Sequence, residues 1–356
     1  MAHDVLALPP HAGDERRRHL GLTNTAQRGR WDGALLRLDP NASLLQSWGY
    51  GEIQAQEGWR VTRVTLQSGL AQVLLQGPPG WVSGYVPRGP APPDTPTLAS
   101  LVEWARRERL VSLRVEPDAE AGLTSQLVSL GFRPAAEMHP GRTLMVPLGD
   151  DEAMLASFKP KHRYNLRLAE RKGVEVRRGQ DAAELWRQAQ ATGRRQGITT
   201  PSLAAYQRRL RHLAWCGVYV AVHSGEPLAA IMVARFGARA YYLFGGASGH
   251  RRDLMPAYAL QWQAMRDARD AGCREYDLWG VPPEADPSHP WAGLWQFKSG
   301  FGGRMTEYCG AWELTLDESR ARLSRGLAGL ARLPRRAAGL LLRQSPHRAG
   351  APVKED

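Results

Sequence analysis

Apolar residues at Val61, Val64 and Leu66, and again at Ala71, Val73 and Leu75, predict two short strands, which Gly77-Pro78-Pro79-Gly80 then breaks. A proline-rich loop over residues 87–96 leads into an amphipathic helix through Leu98, Leu101, Val102 and Ala105. A strand with Val111, Leu113 and Val115 follows, then a helix to about residue 130 and a strand ending at 148. From Asp150 the pattern predicts a short helix, a basic helix and a strand at Val174 and Val176. Helices over 181–194 and 202–213 precede strands over 218–222, 228–236 and 240–244. Pro256 fits the first turn of a helix whose apolar face is Ala257, Leu260, Ala264, Ala268 and Ala271. A strand over 276–278, a helical turn over 294–298 and a last strand over 308–316 complete the pattern.

The chain therefore divides into an unpatterned polar leader, 1–30, two alternating α/β stretches, 31–149 and 150–316, and a basic helical tail, 317–356. The two stretches share an order. Helix, Arg-rich turn and strand at 104–115 recur at 266–278, and the short helices that follow end in Gly131-Phe132 and Gly300-Phe301. Matching dipeptides alone would be chance, but the ordered series is weak evidence of duplication.

Composition adds the partner class. Lys and Arg number 47 against 35 Asp and Glu, a net charge of +12, which suits nucleic acid, phosphate or an anionic membrane surface. An Arg-rich composition without functional meaning explains it equally well. Cys216, Cys273 and Cys309 are too far apart for a zinc or disulfide framework, so a reducing cytoplasm and no metal are expected. No segment nears the roughly 20 apolar residues of a membrane span, and none suits a signal peptide.

Five ordered stretches carry a resemblance. They are Leu45-Gln46-Ser47-Trp48-Gly49, Gly84-Tyr85-Val86-Pro87-Arg88-Gly89-Pro90, the segment Lys161-His162-Arg163-Tyr164-Asn165-Leu166-Arg167 through Gly173-Val174, Tyr242-Leu243-Phe244-Gly245-Gly246-Ala247-Ser248, and Tyr276-Asp277-Leu278-Trp279-Gly280 with Phe297-Lys298-Ser299-Gly300-Phe301-Gly302-Gly303. In this order they resemble the FemABX family of peptidoglycan-bridge aminoacyltransferases. The resemblance implies an α/β (α+β) fold of two GNAT-like subdomains with mixed sheets, here without the long helical arm of some members. It implies transfer of an amino acid from aminoacyl-tRNA, with no other cofactor, to the stem peptide of a peptidoglycan precursor. That acceptor is UDP-MurNAc-pentapeptide or a lipid-linked form, and the setting is the cytoplasm or the inner face of the membrane.

By the same resemblance Lys298 and Phe297 sit beside the aminoacyl ester. A fixed ammonium there would stabilise the tetrahedral oxyanion of ester aminolysis, with Phe297 walling the site; a surface lysine beside a core phenylalanine is the plain alternative. Asp277 either exchanges a proton or orders a turn. Tyr206, Tyr242, Phe244, Gly245, Gly246, Ser248 and Trp279 are expected at the precursor, with Tyr242 and Phe244 on one face of a strand. The glycines equally suit a strand-to-helix turn. Arg88, expected to be exposed on its proline-stiffened loop, offers a fork to phosphate or carboxylate, or pairs with an Asp. Arg163, Arg167 and Arg171 recur along one helix face with Lys161 nearby, as a tRNA contact or a solvated face. Two positions depart from the family pattern, where Glu52-Ile53-Gln54 and Ser202 replace an expected Lys and Arg, and this bears on which precursor is used. The competing readings are an acyl-CoA-dependent GNAT N-acyltransferase, against which stands the lack of a clean pyrophosphate loop, and a non-catalytic RNA-binding module.

Overall fold

Trp31 and Leu35 lie one helical turn apart and are both buried, and they seat the first helix, α1 (Leu22–Leu38). The computed structural model describes residues 22–282 and 292–323. The expected leader is therefore too long: residues 22–30 are helical, continuous with the turn that Trp31 anchors. Residues 1–21 lie outside the described part, as does the expected tail beyond 323.

Helix α2 (Trp48–Gln56) is capped by Ser47, whose Oγ accepts the Tyr50 N–H at 3.2 Å. Strands β1 (Arg60–Thr65), β2 (Leu70–Gln76) and β3 (Ser83–Pro87) follow. Next come α3 (Thr95–Arg107), β4 (Ser112–Glu116), α4 (Thr124–Ser129), β5 (Arg133–Ala135) and β6 (Arg142–Pro147). The second stretch holds α5 (Asp151–Ser157), α6 (Pro160–Arg171), β7 (Glu175–Gly179), α7 (Ala182–Gln196) and α8 (Leu203–His212). It continues with β8 (Trp215–His223), β9 (Glu226–Phe236), β10 (Arg239–Ala247), α9 (Pro256–Asp270), β11 (Glu275–Gly280), α10 (Ala292–Lys298), β12 (Arg304–Glu307) and β13 (Ala311–Thr315). Only residues 197–202 separate α7 from α8, so no helical arm intervenes.

The strands form two mixed sheets, in the orders β1-β2-β3-β4-β13-β5 and β12-β6-β11-β10-β9-β8-β7. Apart from the added edge strand β7, the two orders are the same, and so are the pairings. In each sheet two antiparallel pairs lead to one parallel pair, β3 with β4 and β10 with β11, and two further antiparallel pairs close the series. The repeat suggested by the Gly-Phe dipeptides is thus a repeat of topology.

The sheets do not separate at residues 149 and 150. Strand β6, from the first stretch, lies between β11 and β12 of the second sheet, and β13, from the second, lies between β4 and β5 of the first. Burial explains the exchange. Leu144 and Val146 of β6 pack with Tyr276 and Leu278 beneath α6 and α9, while Trp312 and Leu314 of β13 fill the core under α3. Each such side chain taken from water contributes about 1.5–3 kcal/mol.

Candidate active site

The parallel strands β10 and β11 pair at Arg239↔Glu275, Ala240↔Tyr276 and Tyr241↔Asp277, and then part. Two irregularities open the fork. Strand β10 has a bulge between Tyr242 and Phe244, and β11 breaks register after Asp277, where Trp279 adopts φ +60°. The Asp277 carboxylate holds this strained turn by accepting the Trp279 N–H at 2.7 Å and the Thr143 hydroxyl.

Lys298, the last residue of α10, reaches into the fork. Its Nζ donates to the carbonyl oxygens of Gly280 at 2.8 Å and Trp279 at 3.4 Å. It stands 5.6 Å from the centre of the Tyr242 ring, and only 5% of the residue is exposed. Burial pushes the lysine down to about 7, with the Asp277 charge opposing the shift. The ammonium and the free amine are therefore both accessible near neutral pH, and the carbonyl pair favours the ammonium.

Asp277 makes no hydrogen bond to Lys298 among the described residues. Its carboxyl is buried, which raises its proton affinity against the pull of Arg239, and its partners above are Trp279 of the turn itself and Thr143 of the adjoining β6. Of the two roles open in the sequence, turn ordering is the one its contacts display. Phe297 packs edge-on against Tyr258 and Phe301, at 5.4 and 5.1 Å, and so belongs to the aromatic cluster under α10.

The other expected residues scatter. Tyr242 and Phe244 do not share a face, because the bulge inserts one residue: Tyr242 packs toward the α9 core and Phe244 toward the α7 core. Phe244 meets the buried Tyr206 ring edge-on at 5.1 Å. A side chain at Gly245 would lie 2.1 Å from the Tyr242 hydroxyl, and one at Gly246 would lie 2.4 Å from the backbone of Gln188 and Ala189. Gly246 thus serves the packing of α7 rather than a ligand's approach. Ser248 Oγ donates to Leu228 O at 3.2 Å, and Trp279 stacks edge-on against Tyr241 at 5.9 Å.

Arg88 is a correction. It is buried, not exposed: it donates to Pro140 O at 2.6 Å and lies 3.7 Å above the Tyr308 ring. It lines a cavity of about 20 Å³ with Asp118, Arg239, Asp277 and Tyr308, the room of roughly one water and too little for a substrate. Beside it Glu116, His139 and the Tyr85 hydroxyl form a buried network. This network, Thr143 and Arg239 had no sequence signal, since their partners lie far along the chain.

Helix α6 divides its cations. The Arg163 guanidinium donates to the carbonyls of Phe158, Leu155 and Ala156 and so caps α5. Lys161, Arg167 and Arg171 are exposed and form no ion pair among the described residues, with Tyr164, 57% exposed, between them. At the two departures from the family pattern the side chains have local duties. Glu52 pairs with Arg63 at 3.0 Å, and Ser202 caps α8 by accepting the Ala205 N–H.

Two mixed sheets of matching topology, one of them opened at its parallel pair around a buried lysine, define a tandem α/β fold of GNAT-like subdomains. Comparison with known proteins agrees. The FemAB family matches residues 219–328. The lipid II:glycine glycyltransferases of Staphylococcus haemolyticus and Staphylococcus aureus (strain MRSA252) are 23% and 21% identical, each covering 80% of this chain and 91% of their own. The crystal structure of FemX superposes with a TM-score of 0.75 at 21% identity, over 85% of this chain and 98% of that one. The chain is therefore similar to the FemAB family in its C-terminal part and to FemX in its fold.

Proposed function

We propose that the protein transfers an amino acid from aminoacyl-tRNA to the stem peptide of a lipid-linked peptidoglycan precursor, forming an interpeptide bridge. The observation that carries the reading is Lys298 at the mouth of the β10–β11 fork, fixed by two backbone carbonyls. The staphylococcal relatives, whose names specify lipid II as acceptor, support the lipid-linked form. Replacement of the expected phosphate-binding cations by Glu52 and Ser202 fits an acceptor other than the soluble nucleotide precursor.

In the reaction the acceptor's free amine attacks the ester carbonyl. The C–N bond forms, the C–O bond to the ribose breaks, a carboxylate of the substrate takes the proton that the amine gives up, and the ribose oxygen takes one from Lys298. The Lys298 ammonium stabilises the oxyanion of the tetrahedral intermediate and supplies the proton to the departing oxygen. Lys161, Arg167 and Arg171 face the phosphates of the tRNA, and the enzyme works at the inner face of the membrane.

Transfer of radiolabelled glycine from glycyl-tRNA to lipid II, run beside acetyl-CoA as donor and UDP-MurNAc-pentapeptide as acceptor, tests each part. Product from tRNA and lipid II is expected. Product from acetyl-CoA with none from charged tRNA would assign the protein to the acyl-CoA-dependent enzymes.

A further inference from the structure

His162, on the buried side of α6, points away from the cationic face and into the segment that carries Lys298. Its Nε2 lies 2.8 Å from the carbonyl oxygen of Phe297, the residue before Lys298. A carbonyl can only accept, so Nε2 carries the proton. The ring is 5% exposed as a residue and meets Tyr258 and Phe301 edge-on, both at 4.9 Å. It also lies flat on Gly300: a Cβ there would come 1.8 Å from Cε1 of the imidazole. Two more bonds join the same elements, Lys159 N–H to Gly300 O at 2.9 Å and Lys159 Nζ to Ser299 Oγ at 3.2 Å.

We propose that His162 is a positioning residue for Lys298. The inference rests on the role given to Lys298 above. Lys298 ends α10 and is followed at once by a 3-10 turn, Ser299–Phe301. Helical bonds behind it and no regular ladder ahead of it leave the backbone at 297–300 to be fixed from outside, and α6 does this through the imidazole and Lys159. A shift of about 1 Å in a catalytic group costs on the order of 10²-fold in rate. A hydrogen bond one residue from Lys298 therefore sets how Nζ meets the Gly280 and Trp279 carbonyls.

The groups around the ring explain why a neutral histidine suits this task. Burial and the cations Lys159 and Lys161 on its own helix lower its proton affinity, opposed by the bond to Phe297. From the packed elements it faces Tyr258 of α9, with Phe297 of α10 and Phe301 of the turn, and no carboxylate touches it among the described residues. The Phe297 carbonyl is thus met by the Nε2 proton of a ring whose burial disfavours a second one.

The test uses the full-length protein and three variants. His162→Gln can place an amide N–H near the position of Nε2, His162→Leu keeps bulk without a donor, and Gly300→Ala displaces the ring while leaving its chemistry. His162→Leu and Gly300→Ala are expected to lower kcat by roughly 10- to 100-fold with KM for tRNA and acceptor within threefold, and His162→Gln to restore most of kcat. The second readout needs no activity: the titration midpoint of Lys298, followed by NMR of the reductively ¹³C-methylated lysine, should move in His162→Leu and return in His162→Gln. Melting temperatures screen each variant for folding. Unchanged kcat and an unchanged Lys298 midpoint in His162→Leu would overturn the proposal. If wild type transfers nothing from charged tRNA while the midpoint still follows His162, the functional reading fails and the positioning role stands.

Discussion

Arg239, the first residue of β10, donates to the Asp118 carboxylate at 3.1 Å and so ties the second sheet to the chain leaving β4 of the first. It also holds Glu275, its neighbour in the parallel pair, at 3.2 Å. The Asp118 contact is the more buried of the two, so removing the cation chiefly strands that carboxylate. Arg239→Met is expected to lower stability by roughly 3–5 kcal/mol, the range for breaking a buried pair, measured as the urea midpoint with an unchanged m-value. A change under about 1 kcal/mol, the worth of an exposed pair, would show that the bridge is dispensable.

Lys298→Met should divide activity from stability. Turnover is expected to fall roughly 10²- to 10³-fold, as when an oxyanion donor is removed, with KM for the acceptor little changed. Stability should rise by about 1–4 kcal/mol at pH 6, because a buried cation is replaced by an apolar chain of similar length. If instead KM rises while kcat holds, Lys298 binds substrate and does not act on the ester.

The pH dependence of stability has a definite sign. The folded state releases the Lys298 proton near 7, whereas the unfolded chain keeps it to 10.5. Between these values the unfolded state binds more protons, so Lys298 makes wild-type stability rise with pH across that window. The difference between Lys298→Met and wild type should accordingly shrink from pH 7 to 10, read by chemical denaturation. A constant difference would mean the lysine is not desolvated.

Asp277→Asn keeps an acceptor for the Trp279 N–H but removes the charge. Turnover is expected to stay within about tenfold of wild type, because the carboxylate orders the turn and does not contact Lys298. Asp277→Ala should be slower still, and should melt earlier, since it frees the strained residue Trp279. A drop in Asp277→Asn near the 10² to 10⁴ of a general base would make Asp277 the proton acceptor.

On α6 the four cations should separate by role. Replacing Lys161, Arg167 and Arg171 with Gln should flatten the dependence of tRNA affinity on salt, by a slope of roughly 0.7 to 0.9 for each phosphate that is no longer neutralised. Arg163→Gln should leave the slope alone and lower the melting temperature, because this side chain caps α5. Equal slopes in all variants would assign the face to solvent.

Much of this is legible in the sequence because it is periodic. The amphipathic helices α3, α7 and α9 and the long strands β8 to β10 lie within a few residues of where apolar spacing puts them, and the motif around Phe297-Lys298 falls at the fork. What the chain hides is what periodicity cannot carry. Strand β3 is five residues with Gly and Pro inside it, a composition that reads as a loop. The bulge after Tyr242 reverses every later face in β10, and a single inserted residue leaves no mark in composition. A proline-rich loop is usually exposed, yet Tyr308, far away in sequence, covers Arg88. Arg163 and Arg167 are the same residue type on one helix, and only the neighbouring α5 end distinguishes them.

The exchange of β6 and β13 has a consequence for how the molecule is made. The first sheet lacks the strand between β4 and β5 until residues 311–315 arrive, so a nascent chain emerging from the ribosome exposes the edges of two unfinished strands through most of synthesis. Pairings of such long sequence separation slow folding and lengthen exposure to aggregation. Each half expressed alone is expected to be unstable unless the partner's closing strand is supplied, either in trans as a peptide or by a permuted chain in which the exchanged strands are returned to their own halves.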